Sequence, residues 1–125
     1  MGKFVVRKVP TGIKFDLKAI NGEVIATSEV YTTESACFTG IASVRKNAPK
    51  AELEDMTKRK AQAKVKNPKF ELYKDAAGQF RFRLKAKNGE TIAVSEGYKA
   101  KASCKNGIES VRKNAPASPV VAQAE

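Results

Sequence analysis

The sequence GIASVRKNAP at residues 40–49 returns as GIESVRKNAP at residues 107–116, with only Ala42 exchanged for Glu109. A decapeptide written twice in a chain of 125 residues marks a duplicated unit, and the spacing inside it says what the unit contains. Cys37, Gly40, Ile41, Val44 and Ala48 fall at i, i+3, i+4, i+7 and i+11, as do Cys104, Gly107, Ile108, Val111 and Ala115. That is the apolar stripe of an amphipathic helix. Arg45-Lys46 and Arg112-Lys113 lie near its negative end, and Asn-Ala-Pro stops it. Each decapeptide is therefore the second half of a helix that packs one face on a sheet. Thr33 can cap the first helix; its counterpart Ala100 has no side-chain acceptor, which predicts a displaced or frayed start for the second. Glycine inside a helix costs about 1 kcal/mol relative to alanine, so Gly40 and Gly107 predict a close approach of helix to sheet.

Outward from the decapeptide the duplication continues. FDLKAINGEVIATSEVY (15–31) aligns with FRLKAKNGETIAVSEGY (82–98), and KFVVRK (3–8) with KFELYK (69–74) after one residue is gained or lost in the first turn, where such changes are best tolerated. Phe4 and Val6, like Phe70 and Leu72, alternate with their neighbours as a strand does. Pro10-Thr11-Gly12 and Ala76-Ala77-Gly78 read as turns. A second strand follows, with Ile13, Phe15, Leu17 and Ala19, or Phe80, Phe82, Leu84 and Ala86, on one face. Asn21-Gly22 and Asn88-Gly89 predict type I′ hairpins into a third strand, EVIATS or ETIAVS.

The size suits one compact domain or two very small ones, and 42% hydrophobic with 30% charged residues excludes wholesale disorder. No apolar run is long enough to span a bilayer and the opening MGKFVVRKVPTGIKFD lacks a signal-peptide core, so a cytoplasmic location is expected, with no membrane partner. The formal charge of +11 sits mostly in the second copy and attracts polyanions without specifying a site.

Taken together, the strand ending in YKD (73–75), FRFRLKA (80–86), NGE (88–90), the IAVSEGY segment (92–98) and GIESVRKNAP resemble the YegP-like family of small bacterial proteins of unassigned function. The likeness is nearly complete over 69–116 and looser over 3–49, where Val9-Pro10-Thr11 replaces Asp75-Ala76-Ala77 and Val30 replaces Gly97. It implies an α+β fold: tandem β-β-β-α-β repeats forming one antiparallel sheet, with C-terminal strands exchanged between units and two helices on one face. AELEDM (51–56) and SPVVAQ (118–123) would be the fourth strands. Repeat 1 then spans 1–56, a charged and partly helical connector 57–68, and repeat 2 69–125, both repeats making one pseudo-twofold domain. A single repeat would expose an apolar sheet face and a free edge, so the expected state is a monomer containing an internal pseudo-dimer.

Histidine is absent, which removes the usual general base and the commonest metal ligand. Two cysteines do not make a zinc site, and no glycine-rich phosphate loop is present. The expectation is a non-enzymatic protein without catalytic residues, metal or cofactor. Cys37 and Cys104 are either reduced packing residues or redox thiols; Ser28-Glu29 and Ser95-Glu96 are either turn or cap residues or a nucleophile with an acid. Tyr31 and Tyr98 read as core packers with a wet hydroxyl. The functional lead is basic: Arg81, Arg83, Lys85 and Lys87, with Lys14 and Lys18 in the first copy, point away from the apolar face, and Tyr73 shares their side. Such a face suits a protein partner or, as the alternative, non-specific nucleic-acid binding by stacking and charge.

Overall fold

A computed structural model describes residues 2–57 and 65–122. Eight strands and two helices follow in the order β1 (Lys3–Val9), β2 (Gly12–Lys18), β3 (Val24–Thr27), α1 (Glu34–Asn47), β4 (Glu52–Asp55), β5 (Lys69–Lys74), β6 (Phe80–Lys85), β7 (Thr91–Val94), α2 (Lys101–Asn114) and β8 (Val120–Ala122). Part of the predicted connector, 58–64, lies outside the described residues, as does Gln123 of the last predicted strand.

All eight strands form one sheet in the order β4-β5-β6-β7-β3-β2-β1-β8. Each repeat gives its last strand to the other: β4 pairs with β5, and β8 with β1. The sheet is antiparallel as expected, except at its two borders, where the exchanged strands pair in parallel. At the centre of the sheet β3 meets β7 at the pair Thr27↔Val94, which are equivalent residues, so the pseudo-twofold axis passes between them.

The alternation read from sequence sorts the faces. Phe4, Phe15, Leu17, Phe70, Phe82 and Leu84 are fully buried beneath the helices, and each such side chain contributes roughly 1.5–3 kcal/mol by leaving water. Phe4 meets Phe15 edge-on at 5.8 Å, and Phe15 stacks on Tyr31 at 6.3 Å; Phe70, Phe82 and Tyr98 repeat this at 5.9 and 6.5 Å. The tyrosine explains the helical glycines. A Cβ on Gly40 would lie 2.2 Å from the Tyr31 hydroxyl, and one on Gly107 2.5 Å from that of Tyr98. The close approach is thus between the helix backbone and a tyrosine ring lying under it.

The turns depart from one expectation. Gly22 and Gly89 have positive φ (84° and 88°) but Asn21 and Asn88 do not. With Gly22 N–H donating to Ala19 O and Ala19 N–H to Glu23 O, each hairpin is a three-residue loop closed by a left-handed glycine, not a type I′ turn. The extra residue in the first turn of repeat 2 has the same cause. Pro10-Thr11 is a two-residue connection between Val9 and Gly12, whereas Ala76-Ala77-Gly78 is a three-residue loop.

Thr33 caps α1 as expected, its hydroxyl accepting from Ala36 N–H at 3.1 Å. Ala100 makes no side-chain cap, yet α2 begins at the equivalent residue, contrary to the displaced start predicted. The support comes from the exchanged strand: Asp55, at the end of β4, forms an ion pair with Lys101 in the first turn of α2. A lysine there opposes the helix dipole, and the carboxylate offsets it.

The repeated arginine does more than face a helix end. Arg45 donates to Ser118 O at 2.5 Å and lies over the Phe4 ring; Arg112 donates to Ala51 O at 2.7 Å and lies over Phe70. Each therefore holds the strand donated by the other repeat at its point of entry.

Candidate functional site

On the sheet face away from the helices Val5, Asp16 and Glu71 are themselves buried. One row crosses this face in register: Val121, Val5, Asp16, Thr27, Val94, Arg83, Glu71 and Glu54. The residues on either side of this row include most of those singled out from sequence, and their partners differ sharply between the halves.

In repeat 2 the cations are already engaged. Arg83 Nε donates to Glu71 Oε1 at 2.5 Å and its guanidinium lies 4.5 Å over the Tyr73 ring. Lys85 stands 3.8 Å from the same carboxylate, and Lys69 pairs with Glu54 (2.6 Å) and Glu71 (3.3 Å). Burial would raise the Glu71 carboxyl, but Arg83 and Lys69 hold it below its ordinary range. Arg81 Nε donates to Asp75 Oδ2 at 2.6 Å, and this contact, with the Gln79 and Ala77 N–H groups, lowers Asp75. Tyr73 is thus no open stacking platform. Lys87 does not join the others: β6 ends at Lys85 after a register shift, alternation stops, and Lys87 lies in the hairpin beside α1.

Repeat 1 differs. Arg7 Nε donates to Asp16 Oδ2 at 2.7 Å, and Thr27 Oγ1 to Asp16 Oδ1 at 2.7 Å. Lys14 lies opposite Arg7, and Lys18 opposite Lys3. Among the described residues no carboxylate lies within ion-pair distance of Lys3, Lys14 or Lys18. The reason is substitution: Val5 and Val121 stand where the other half of the sheet has Glu71 and Glu54, the partners of Lys69 and Lys85, and Val9 stands where it has Asp75, the partner of Arg81, which is the counterpart of Lys14. Sequence placed the greater positive charge in repeat 2; unpaired positive charge on this face lies in repeat 1. The missed signal was the loss of acidic partners at Val5, Val9 and Val121, the last readable only once β8 is known to lie beside β1.

The other candidates have structural employment. Ser28 Oγ accepts from Phe15 N–H (3.0 Å) and donates to Glu29 O (2.6 Å), and Ser95 does the same with Phe82 and Glu96 (2.9 and 2.8 Å). They replace backbone bonds where strand three leaves the sheet. Cys37 and Cys104 are free and buried; burial pushes both thiols up, Cys104 to about 11 with help from the Asp55 charge. Tyr31 and Tyr98 are raised for the same reason, burial. Among the described residues no three His, Cys, Asp or Glu side chains gather to hold a metal ion, and no helix is long and apolar enough to cross a membrane.

Fold and surface define a tandem-repeat α+β protein, two β-β-β-α-β units interlocked by exchanged strands and exposing one charged sheet face. The family model "Domain of unknown function (DUF1508)" matches it twice, at residues 12–55 and 75–121. The chain belongs to this family, UPF0339, which includes YegP. It is 36% identical to the YegP protein of Yersinia pestis over 91% of this chain and 88% of that one. A UPF0339 protein of Treponema denticola is 68% identical over 53 residues, which are 42% of this chain and 91% of that protein, leaving room there for one repeat. The solution structure of Escherichia coli YegP, described as a protein of unknown function, matches with a TM-score of 0.79 at 34% identity, covering 98% of this chain and 92% of that one.

Proposed function

We propose that the protein is a non-enzymatic binding module, acting as a monomer with an internal pseudo-dimer, whose working surface is the repeat-1 half of the sheet face away from the helices. Its partner is a protein that sets acidic side chains beside an apolar strip. One observation carries this reading: Lys3, Lys14 and Lys18 have no carboxylate partner among the described residues, beside the valines that replace Glu71 and Glu54. Unpaired cations near the exposed Val121 are complementary to such a surface and steer its approach. The absence of catalysis is supported by the absence of histidine, by serine hydroxyls committed to the backbone, and by thiols raised away from reactivity.

Affinity capture from native cell extract tests it. K14E/K18E is expected to lose the captured partner while R81E/R83E keeps it; equal capture by both variants refutes the assignment. Nucleic acid is the second reading, favoured by the charge of +11. It is weakened by Arg83, which already covers Tyr73. Fluorescence anisotropy with single- and double-stranded DNA and RNA at low salt decides it, since an absence of binding there removes it.

A further inference from the structure

The two repeats treat one asparagine differently. Asn47 and Asn114 end α1 and α2, and each turns its Nδ2 back on a serine, donating to the carbonyl (2.8 Å) and Oγ (3.1 Å) of Ser43 or Ser110. In repeat 2 the remaining atom, Asn114 Oδ1, accepts the Gly2 N–H at 3.1 Å, from the segment leading into β1. The segment leading into β5 has Pro68 at the corresponding point, and proline has no N–H. Asn47 is only 7% exposed, and among the described residues no donor reaches its Oδ1. An amide oxygen on a largely buried side chain, with no donor from the protein, is open to one from water or from a ligand.

Asn47 and Pro68 both line a cavity of about 610 Å³ between α1 and the β6–β7 hairpin, and Lys46, Lys50 and Lys87 stand around it. A second cavity of about 440 Å³ shares Thr39, Ser43, Ala86 and Asn88 with the first and continues the groove toward Tyr31 and Glu90. We infer that this groove binds an extended acidic peptide, a backbone N–H of which donates to Asn47 Oδ1 while its carboxylates lie against Lys46, Lys50 and Lys87. The backbone amide follows from the other repeat, where an N–H of the chain itself fills the equivalent place. The acidity follows from the three ammonium groups, and Glu90 at the far end sets the direction, with the carboxylates toward Pro68. A polyanion without N–H groups satisfies the lysines and leaves the asparagine unmet.

Titration of the full chain with N-acetyl-tetraglutamate amide, followed by ¹⁵N NMR, tests the inference. Saturable shifts are expected at the Asn47 side-chain amide and at Lys87 and Asn88, and tripolyphosphate is expected not to reproduce the Asn47 shift. K46E/K87E is expected to weaken the peptide by about an order of magnitude, the scale of one or two charge-assisted contacts. Pro68→Gly supplies the N–H that Gly2 supplies to Asn114 and is expected to weaken the peptide as well, whereas R81E on the opposite sheet face leaves it unchanged. The inference is overturned if the groove shows no saturable shift. It is also overturned if tripolyphosphate shifts Asn47 equally, or if both P68G and K46E/K87E bind as the unmodified chain does.

Discussion

Replacing Asp55 by asparagine tests how one repeat supports the other's helix. Asp55 belongs to β4, is buried, forms an ion pair with Lys101, and accepts from the Thr57 N–H (3.0 Å) and hydroxyl (2.5 Å). Burial alone would raise its carboxyl, but Lys101 and Thr57 overcome burial and hold it at about 2, against 3.8 for an ordinary aspartate. At about 1.4 kcal/mol per pH unit, the carboxylate contributes roughly 2 kcal/mol to stability. Its folded value is depressed, so that contribution is complete above the unfolded value of 3.8 and is lost as pH falls toward about 2. Urea denaturation should therefore find D55N about 2 kcal/mol less stable at neutral pH, with the gap narrowing at about pH 3. A further variant moves the start of α1 onto α2: A100T and K101E, with Asp55→Ala, copy the Thr33 cap and Glu34. It should recover most of the loss, because a capped, acidic first turn needs no outside carboxylate. A D55N loss under about 0.5 kcal/mol at neutral pH, or an equal loss in acid, refutes the role given to the ion pair.

Gly40→Ala should destabilise by about 1 kcal/mol net, because the clash with Tyr31 outweighs the gain in helix propensity. Tyr31→Leu in the same chain should relieve most of that penalty, and thermal melts of the three variants check it. Cys104, with its thiol near 11, should resist iodoacetamide at mildly alkaline pH until denaturant is added; native alkylation at the rate of a free thiol contradicts the buried assignment. Residues 65–125 expressed alone should dimerise and melt at a temperature that rises with concentration. A monomer melting as cooperatively as the whole chain would refute the dependence of each half on the other.

The elements near the decapeptide were legible because local rules set them. Period, turn glycines and the Asn-Ala-Pro stop located β1 to β3, α1 and their copies. The fourth strands were not legible from pattern: SPVVAQ has no alternation and half of AELEDM is acidic, and only the likeness to a family placed them. Their parallel pairing depends on which unit receives them, a long-range fact that no short window contains. Asn21 misled through its identity, since Asn-Gly suits both a type I′ turn and the three-residue loop that a bulge at Leu17 and Lys18 accompanies. The face of each sheet residue was read well through β6, so Arg81, Arg83 and Lys85 share a side with Lys14 and Lys18. What escaped was neutralisation. Glu71 lies among three cations only because β5 and β6 are neighbours.

Arg45 and Arg112 fasten strands that arrive from the opposite unit, and both fastenings lie within one polypeptide. A dimer of identical short chains must accept every change in duplicate, whereas here a residue can alter on one side of the axis while its twin keeps the scaffold intact. The lone aspartate under α2, the proline beside Asn47 and the valines at one border of the sheet are such one-sided changes. Through them a symmetric frame has acquired two unlike ends.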